Sequence, residues 1–155
     1  IHDHMPELLK RAKRECRSEN YLYAATFYAT WVEHWINWHV RCLAIRHGQL
    51  ADEQIRQMIR DVNIRGKLTW MTSVLGGKRI AKKHVNAIQR ISDQRNAFIH
   101  YKYPEWRIDD LDLSPSDLKK AVVDFDKTVS YLQSHDRRTL KRGIKLKIKR
   151  FAQDR

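Results

Sequence analysis

Between residues 88 and 99 an apolar helical stripe, Ile88, Ile91, Phe98 and Ile99, is interrupted by Arg95 where a hydrophobe belongs. Beside it Gln89, Asp93, Asn96 and His100 recur at steps of four, three and four, so Asn96 and His100 stack one turn apart on one face. An arginine inside an apolar stripe is either paired with an acid, here Glu33 or Asp93, or held ready for an anion. The types present suit cleavage of RNA by its own 2′-hydroxyl, which attacks the adjacent phosphate and expels the 5′-oxygen. Histidine moves protons near neutral pH, arginine stabilises charge on the phosphorane, and asparagine orients either group. Arg95, Asn96 and His100 are therefore the candidate catalytic cluster. That chemistry needs no metal, and the chain has no H-E-x-x-H and no carboxylate cluster at two-metal spacing. His34 and His39, five apart, read as structural or exposed. No metal site and no cofactor is expected.

A second polar line runs through the segment 21–47, which is apolar around most of its circumference. Thr26, Thr30, Glu33, Asn37 and Arg41 follow steps of four, three, four and four, and so share one face. Two readings stay open: a plain solvent face, or the lining of a polar site sunk in an aromatic wall made by residues such as Trp31, Trp35 and Trp38. Glu33, Asn37, Asp93 and Tyr101 are the candidate supporting residues.

The elements that must position these groups read as helices. Only 5 Gly and 3 Pro punctuate 155 residues, too few for many short strands, while 42% hydrophobic and 10% aromatic residues supply a core. Periodicity predicts helices over 6–18, 21–47 (stopped by Gly48), 52–62, 67–75 (closed by Gly76 and Gly77) and 80–101, with Pro104 preventing further extension. Ser114-Pro115-Ser116-Asp117 caps one more helix, with the stripe Leu118, Val122, Phe125, Val129 and Leu132. The expected fold is all-α, an antiparallel bundle built on four to five of these six helices over 6–135, followed by a basic segment, 136–155.

Net charge is +13, from 31 Lys+Arg against 18 Asp+Glu, which favours a polyanion partner, nucleic acid before acidic membrane. Residues 137–155 hold nine Lys or Arg against one Asp, a net +8. Their alternation around Ile144, Leu146 and Ile148 fits a strand, while Leu140, Ile144, Ile148 and Phe151 fit a helix face; the pattern does not choose, nor between a solvated tail, an RNA contact and a docking segment. The candidate RNA-binding residues are Arg41, Lys102, Lys141, Arg142, Lys145, Lys147, Lys149 and Arg150. No apolar run reaches the ~18 residues of a membrane span. Cys16 and Cys42 lack redox or metal spacing and read as buried thiols of a reducing, cytoplasmic protein.

The run Arg95-Asn96-Ala97-Phe98-Ile99-His100 resembles the motif of the HEPN superfamily, an Arg, often followed by Asn or another polar residue, then His after four to six intervening residues. The order of helices over 6–135 is similar too, with an aromatic-rich second helix and the motif near the end of a long one. The resemblance implies a metal-independent endoribonuclease whose two subunits join their motifs across a homodimer interface. It implies a toxin or antiviral defence role, with an antitoxin or defence-system protein as partner, and Glu33 as the family's second-helix acid. Some relatives carry a modifiable Tyr two residues after the His; this chain departs from them, with Lys102 there and Tyr at 101 and 103. Against the enzyme stand a non-catalytic RNA- or nucleotide-binding module of the same fold, and an adaptor docking through exposed tryptophans.

Overall fold

The computed structural model describes residues 4–99 and 115–140, and for 97–99 and 115 the backbone alone. Every regular element among them is helical, as the composition predicts. Helix α1 (Met5–Arg17) opens with Pro6 and Glu7 and closes with Arg14 and Arg17, charges that complement the helix dipole. The chain then reverses through Glu19, whose φ of 61° is left-handed, and Asn20, whose amide donates to the Glu15 carboxylate at 3.0 Å. Helix α2 (Tyr21–His47) stops at Gly48, which takes the left-handed φ of 74° that favours glycine.

Helix α3 (Asp52–Asp61) begins where the Ala51 N–H donates to Gln54 Oε1 at 2.8 Å. Helix α4 covers 64–74, starting three residues before the periodicity predicts because Asn63 accepts from the Gly66 N–H at 2.8 Å and caps it. Its middle, Lys67–Met71, is a π turn, and Thr72 Oγ1 donates to the Lys67 carbonyl five residues back at 2.6 Å. Helix α5 (Lys82–Ile99) carries Arg95 and Asn96.

One continuous helix was expected after Ser114, but the structure has two, α6 (Pro115–Val123) and α7 (Phe125–Thr139). At the break the Lys127 N–H takes the Asp124 carbonyl three residues back, and Lys127 Nζ takes the Asp124 carboxylate at 2.7 Å. The stripe survives the break: Val122, Phe125, Val129 and Leu132 are all buried.

The chain divides into two compact units, and α2 and α7 each supply part of both. The first comprises α1, residues 21–34 of α2, α5, α6 and residues 125–128. Its core holds Ala12, Ala24, Trp31, Val32, Ile88 and Ile91. Buried Tyr28 packs on Phe125 at 5.0 Å between ring centroids and donates its hydroxyl to Asp126 at 2.9 Å. Burial and the Asp126 bond push the Tyr28 hydroxyl pKa up, so it remains a donor.

The second unit comprises 35–47 of α2, α3, α4 and residues 129–139 of α7. Ile36, Val40, Leu43, Leu68, Met71 and Leu132 fill it. Polar groups inside are tied to one acid: Asp136 accepts from Trp35 Nε1 at 2.7 Å and pairs with His39 Nδ1 at 2.6 Å. The His39 and His135 rings lie 5.3 Å apart, and each keeps a buried Nε2 without a hydrogen-bond partner. Against Leu43 and Thr72 sits Gly77, where a Cβ would come within 2.6 Å of Leu43 Cδ1. Half-buried Cys16 and Cys42 have thiol pKa values raised, first by desolvation.

His135 has its pKa lowered below 6.5, first by desolvation and then by His39, and His84 in the other unit is lowered by desolvation and Lys83. A folded state that resists protonating these rings loses stability as pH falls below their unfolded pKa, where only the unfolded chain takes up the protons. Melting temperature is therefore expected to fall between pH 6.5 and 5, above the carboxylate range. His135→Gln should flatten that fall in calorimetry; an unchanged slope would remove His135 as its source.

Candidate functional site

Arg95 leaves α5 within the first unit and crosses to α2. Its Nη1 donates to Glu33 Oε2 at 2.6 Å, and its Nη2 donates to Asn96 Oδ1 at 3.2 Å. The arginine side chain is 22% exposed and Glu33 47%, so the acid is wetted while the guanidinium is largely enclosed. The Nε of Arg95 is buried and has no hydrogen-bond partner. A guanidinium carries five N–H donors, and the pair uses few of them. Of the two acids that could have taken Arg95, the structure selects Glu33. Asp93 instead accepts from Gln89 Nε2 at 2.8 Å on the exposed face of α5.

The local reasons are plain in the sequence. Around Arg95 the stripe is apolar, so Ile88 and Ile91 bury the helix against its neighbours and carry the arginine stem inward. Around Glu33 the helix offers Trp31 and Val32, both buried, which seat α2 deeply enough for its acid to meet the guanidinium. An ion pair fixed in this way orients a planar cation whose remaining N–H groups suit phosphate oxygens.

The polar line on α2 is neither a free solvent face nor a buried seam. All five residues are half-buried and each has a bond. Thr26 and Thr30 donate back to the Leu22 and Thr26 carbonyls at 2.9 Å. In the first unit Glu33 holds Arg95. In the second, Asn37 Oδ1 accepts from Lys67 Nζ at 2.8 Å, and Arg41 lies 3.8 Å from Asp52. Arg41 is thus already beside an acid of its own unit, which weakens it as a free phosphate contact.

Among the candidates, Arg95, Asn96 and Glu33 are brought together, Asp93 lies exposed three residues before Asn96, and Asn37 serves the second unit. His100, Tyr101, Lys102, Lys141, Arg142, Lys145, Lys147, Lys149 and Arg150 lie outside the described residues. Sequence reasoning passed over Lys67, a buried cation at the start of the π turn whose partner is Asn37. Its signal was a lysine at the head of an apolar run, which periodicity alone reads as a boundary. His39 is the buried partner of Asp136, while His34 is exposed, so the two do not form a site. Among the described residues no group of three or more His, Cys, Asp or Glu is arranged to hold a metal ion. No helix among them is long and apolar enough to cross a membrane. No family model, no curated protein and no solved structure matches the chain.

A double-mutant cycle over Arg95→Ala and Glu33→Ala is expected to give a coupling of about 1 kcal/mol, the upper end for a partly exposed pair. Urea melts of the four proteins measure it. Strict additivity would mean that Glu33 does not hold the guanidinium in solution.

Proposed function

We propose that the chain is a HEPN-like, metal-independent endoribonuclease in which Arg95, Asn96 and His100 form the catalytic cluster. The observation that supports this most is the guanidinium of Arg95, gripped by Glu33 and Asn96 through one N–H on each Nη, with a second N–H on each that neither takes. Held there, it can share its remaining donors with a phosphate whose charge grows in the transition state. His100 follows Asn96 by four residues in the sequence, and its role is to take the proton of the attacking 2′-hydroxyl. The new bond joins the 2′-oxygen to phosphorus, the bond to the 5′-oxygen breaks, and that oxygen leaves with a proton. The products are a 2′,3′-cyclic phosphate and a 5′-hydroxyl. Asn96 orients the guanidinium or the scissile phosphate within the cluster, and Glu33, which acts through Arg95, is a positioning residue.

In this reading two chains join, each supplying an Arg95 and a His100 to a composite cleft, and the enzyme serves as a toxin or defence effector checked by a partner protein. The basic segment 136–155 adds charge for RNA. The second reading, an interaction module, draws on Trp38, which is 61% exposed, whereas Trp31 and Trp35 are buried. Exposed Trp38 and Ile45, seven residues apart on α2, are also the kind of surface a second copy would cover.

Purified protein incubated with total RNA and EDTA is expected to cut it, leaving cyclic phosphate ends. His100→Ala and Arg95→Ala should each reduce the rate by ~10²–10⁴-fold with helicity retained. Normal cleavage by either folded variant would remove the catalytic assignment, and activity that disappears in EDTA and returns with Mg²⁺ would replace the mechanism. Light scattering at assay concentration is expected to give a dimer. A monomer that still cuts would sink the composite cleft.

A further inference from the structure

A groove of about 840 Å³ runs along α5 in the first unit, with α6 and the start of α7 as its other walls. Its depth and rim differ in chemistry. Deep in it lie Phe125, Thr128 and His84, all buried, with half-buried Ala87 and Ala121 beside them. His84 Nδ1 is 3.0 Å from Thr128 Oγ1, and desolvation together with Lys83 lowers its pKa. Gln94, also in the lining, has a buried Oε1 without a partner. The depths are thus apolar and small, with the Gln94 amide at hand.

The rim is charged, and its charges are unequal in commitment. Lys120 lies 4.0 Å from Asp117 of its own helix, and Lys127 lies 2.7 Å from Asp124 at the break before its helix. Asp93 already accepts from Gln89. Lys83 and Arg90 are exposed and sit on the same side of α5, two turns or about 10 Å apart. Arg95 follows Arg90 by five residues, roughly 8 Å further along the same axis. Asp93 and Gln94 of the lining immediately precede Arg95 and Asn96, so this end of the groove lies within a turn of the candidate cluster along α5, with Arg95 set roughly 140° around the axis from Arg90.

We propose that this groove seats single-stranded RNA, with a base over Ala87, Ala121 and Phe125, phosphates on Lys83 and Arg90, and the strand continuing to Arg95. The volume lies in the range of small-ligand sites, roughly 300–1,000 Å³, which admits an unstacked base and excludes a duplex. Unstacked bases lying on apolar surface and read by side-chain amides are how proteins take single strands. The continuation to Arg95 rests on the ribonuclease reading; the base and phosphate seats do not.

The test is binding of a fluorescein-labelled 2′-O-methyl decauridylate, which lacks the attacking hydroxyl, to the full chain across a salt series. Lys83→Glu/Arg90→Glu replaces two exposed residues and is expected to weaken binding at least about tenfold and to flatten the salt slope by about 1.4, two contacts at about 0.7 each. Lys10→Glu/Arg60→Glu makes the same charge change at exposed positions on α1 and α3 and should lose far less. Ala121→Trp, which fills the groove without altering charge, should weaken binding and leave the slope as it was. Binding by the groove double variant equal to that of the control pair would overturn the proposal, as would displacement by free uridine monophosphate at the oligomer's own affinity. Groove variants that bind normally while the wild type cuts RNA would sink the groove alone. Variants that lose binding, in a protein that cuts no RNA, would sustain the groove and sink the nuclease.

Discussion

The burial of α2 on most of its circumference constrains everything packed around it. Ala24, Tyr28, Val32, Ile36, His39 and Leu43 are inside, and so are Ala25, Ala29, Trp31, Trp35, Val40 and Ala44. On those covered sides polar atoms cannot be left to water, and each one buried without a partner costs about 1–3 kcal/mol. The tyrosine hydroxyl, the indole N–H and the imidazole of α2 must therefore meet acceptors supplied by other elements. Helix α7 supplies them within each unit, Asp126 for Tyr28 and Asp136 for Trp35 and His39. The stripe of α7 decides which side of that helix is buried; the two acids decide its register.

The same constraint produces the candidate site. Because α2 is enclosed, its one polar line runs half-buried rather than out to solvent, and every member answers to a partner. Threonines satisfy themselves on the carbonyls one turn back, which costs the helix little. Longer side chains cannot, so Glu33 draws in Arg95 and Asn37 draws in Lys67, each within its own unit. An arginine that broke the stripe of α5 is thereby held at low exposure with an acid at hand, which a solvent-facing glutamate could not have done.

Much of this was legible in the residues. Glycines and prolines mark the helix ends well: Gly48 and Gly76 take left-handed conformations at the close of α2 and α4, and α6 begins at Pro115. Local chemistry that periodicity ignores was harder to see. The early start of α4 depends on one side-chain cap at Asn63, and the break at Asp124 depends on a single three-residue hydrogen bond inside an unbroken stripe. At the site, the sequence offered Glu33 and Asp93 as acids for Arg95, but not which of them would win. Asp93 lies two residues from Arg95 and so points elsewhere on its own helix, where Gln89 takes it; Glu33 comes from another helix and meets the guanidinium head on. The groove was not legible at all. Its lining comes from three helices whose neighbours in space share no motif, and Lys83 and Arg90 read as ordinary surface charge until the opposite wall is known.

An arginine already paired with a glutamate can look spoken for, yet the pair favours rather than forbids an anion. Two unit charges about 4 Å apart attract by roughly 4 kcal/mol at an effective dielectric of 20, so a phosphate displacing Glu33 outright would forfeit most of what it gained. Displacement is unnecessary. Glu33 takes one Nη1 hydrogen and Asn96 one from Nη2, and each of these nitrogens has a second N–H that neither of them takes. A phosphate that shares the guanidinium meets a cation whose side-chain entropy is already spent, in a chain of net charge +13 that offsets the repulsion from one half-exposed carboxylate. As the phosphorane gains negative charge its attraction to the fixed fork grows, while the Glu33 contact stays as it was. Stabilisation therefore rises along the reaction and not before it, which is the condition for an interaction to speed a chemical step.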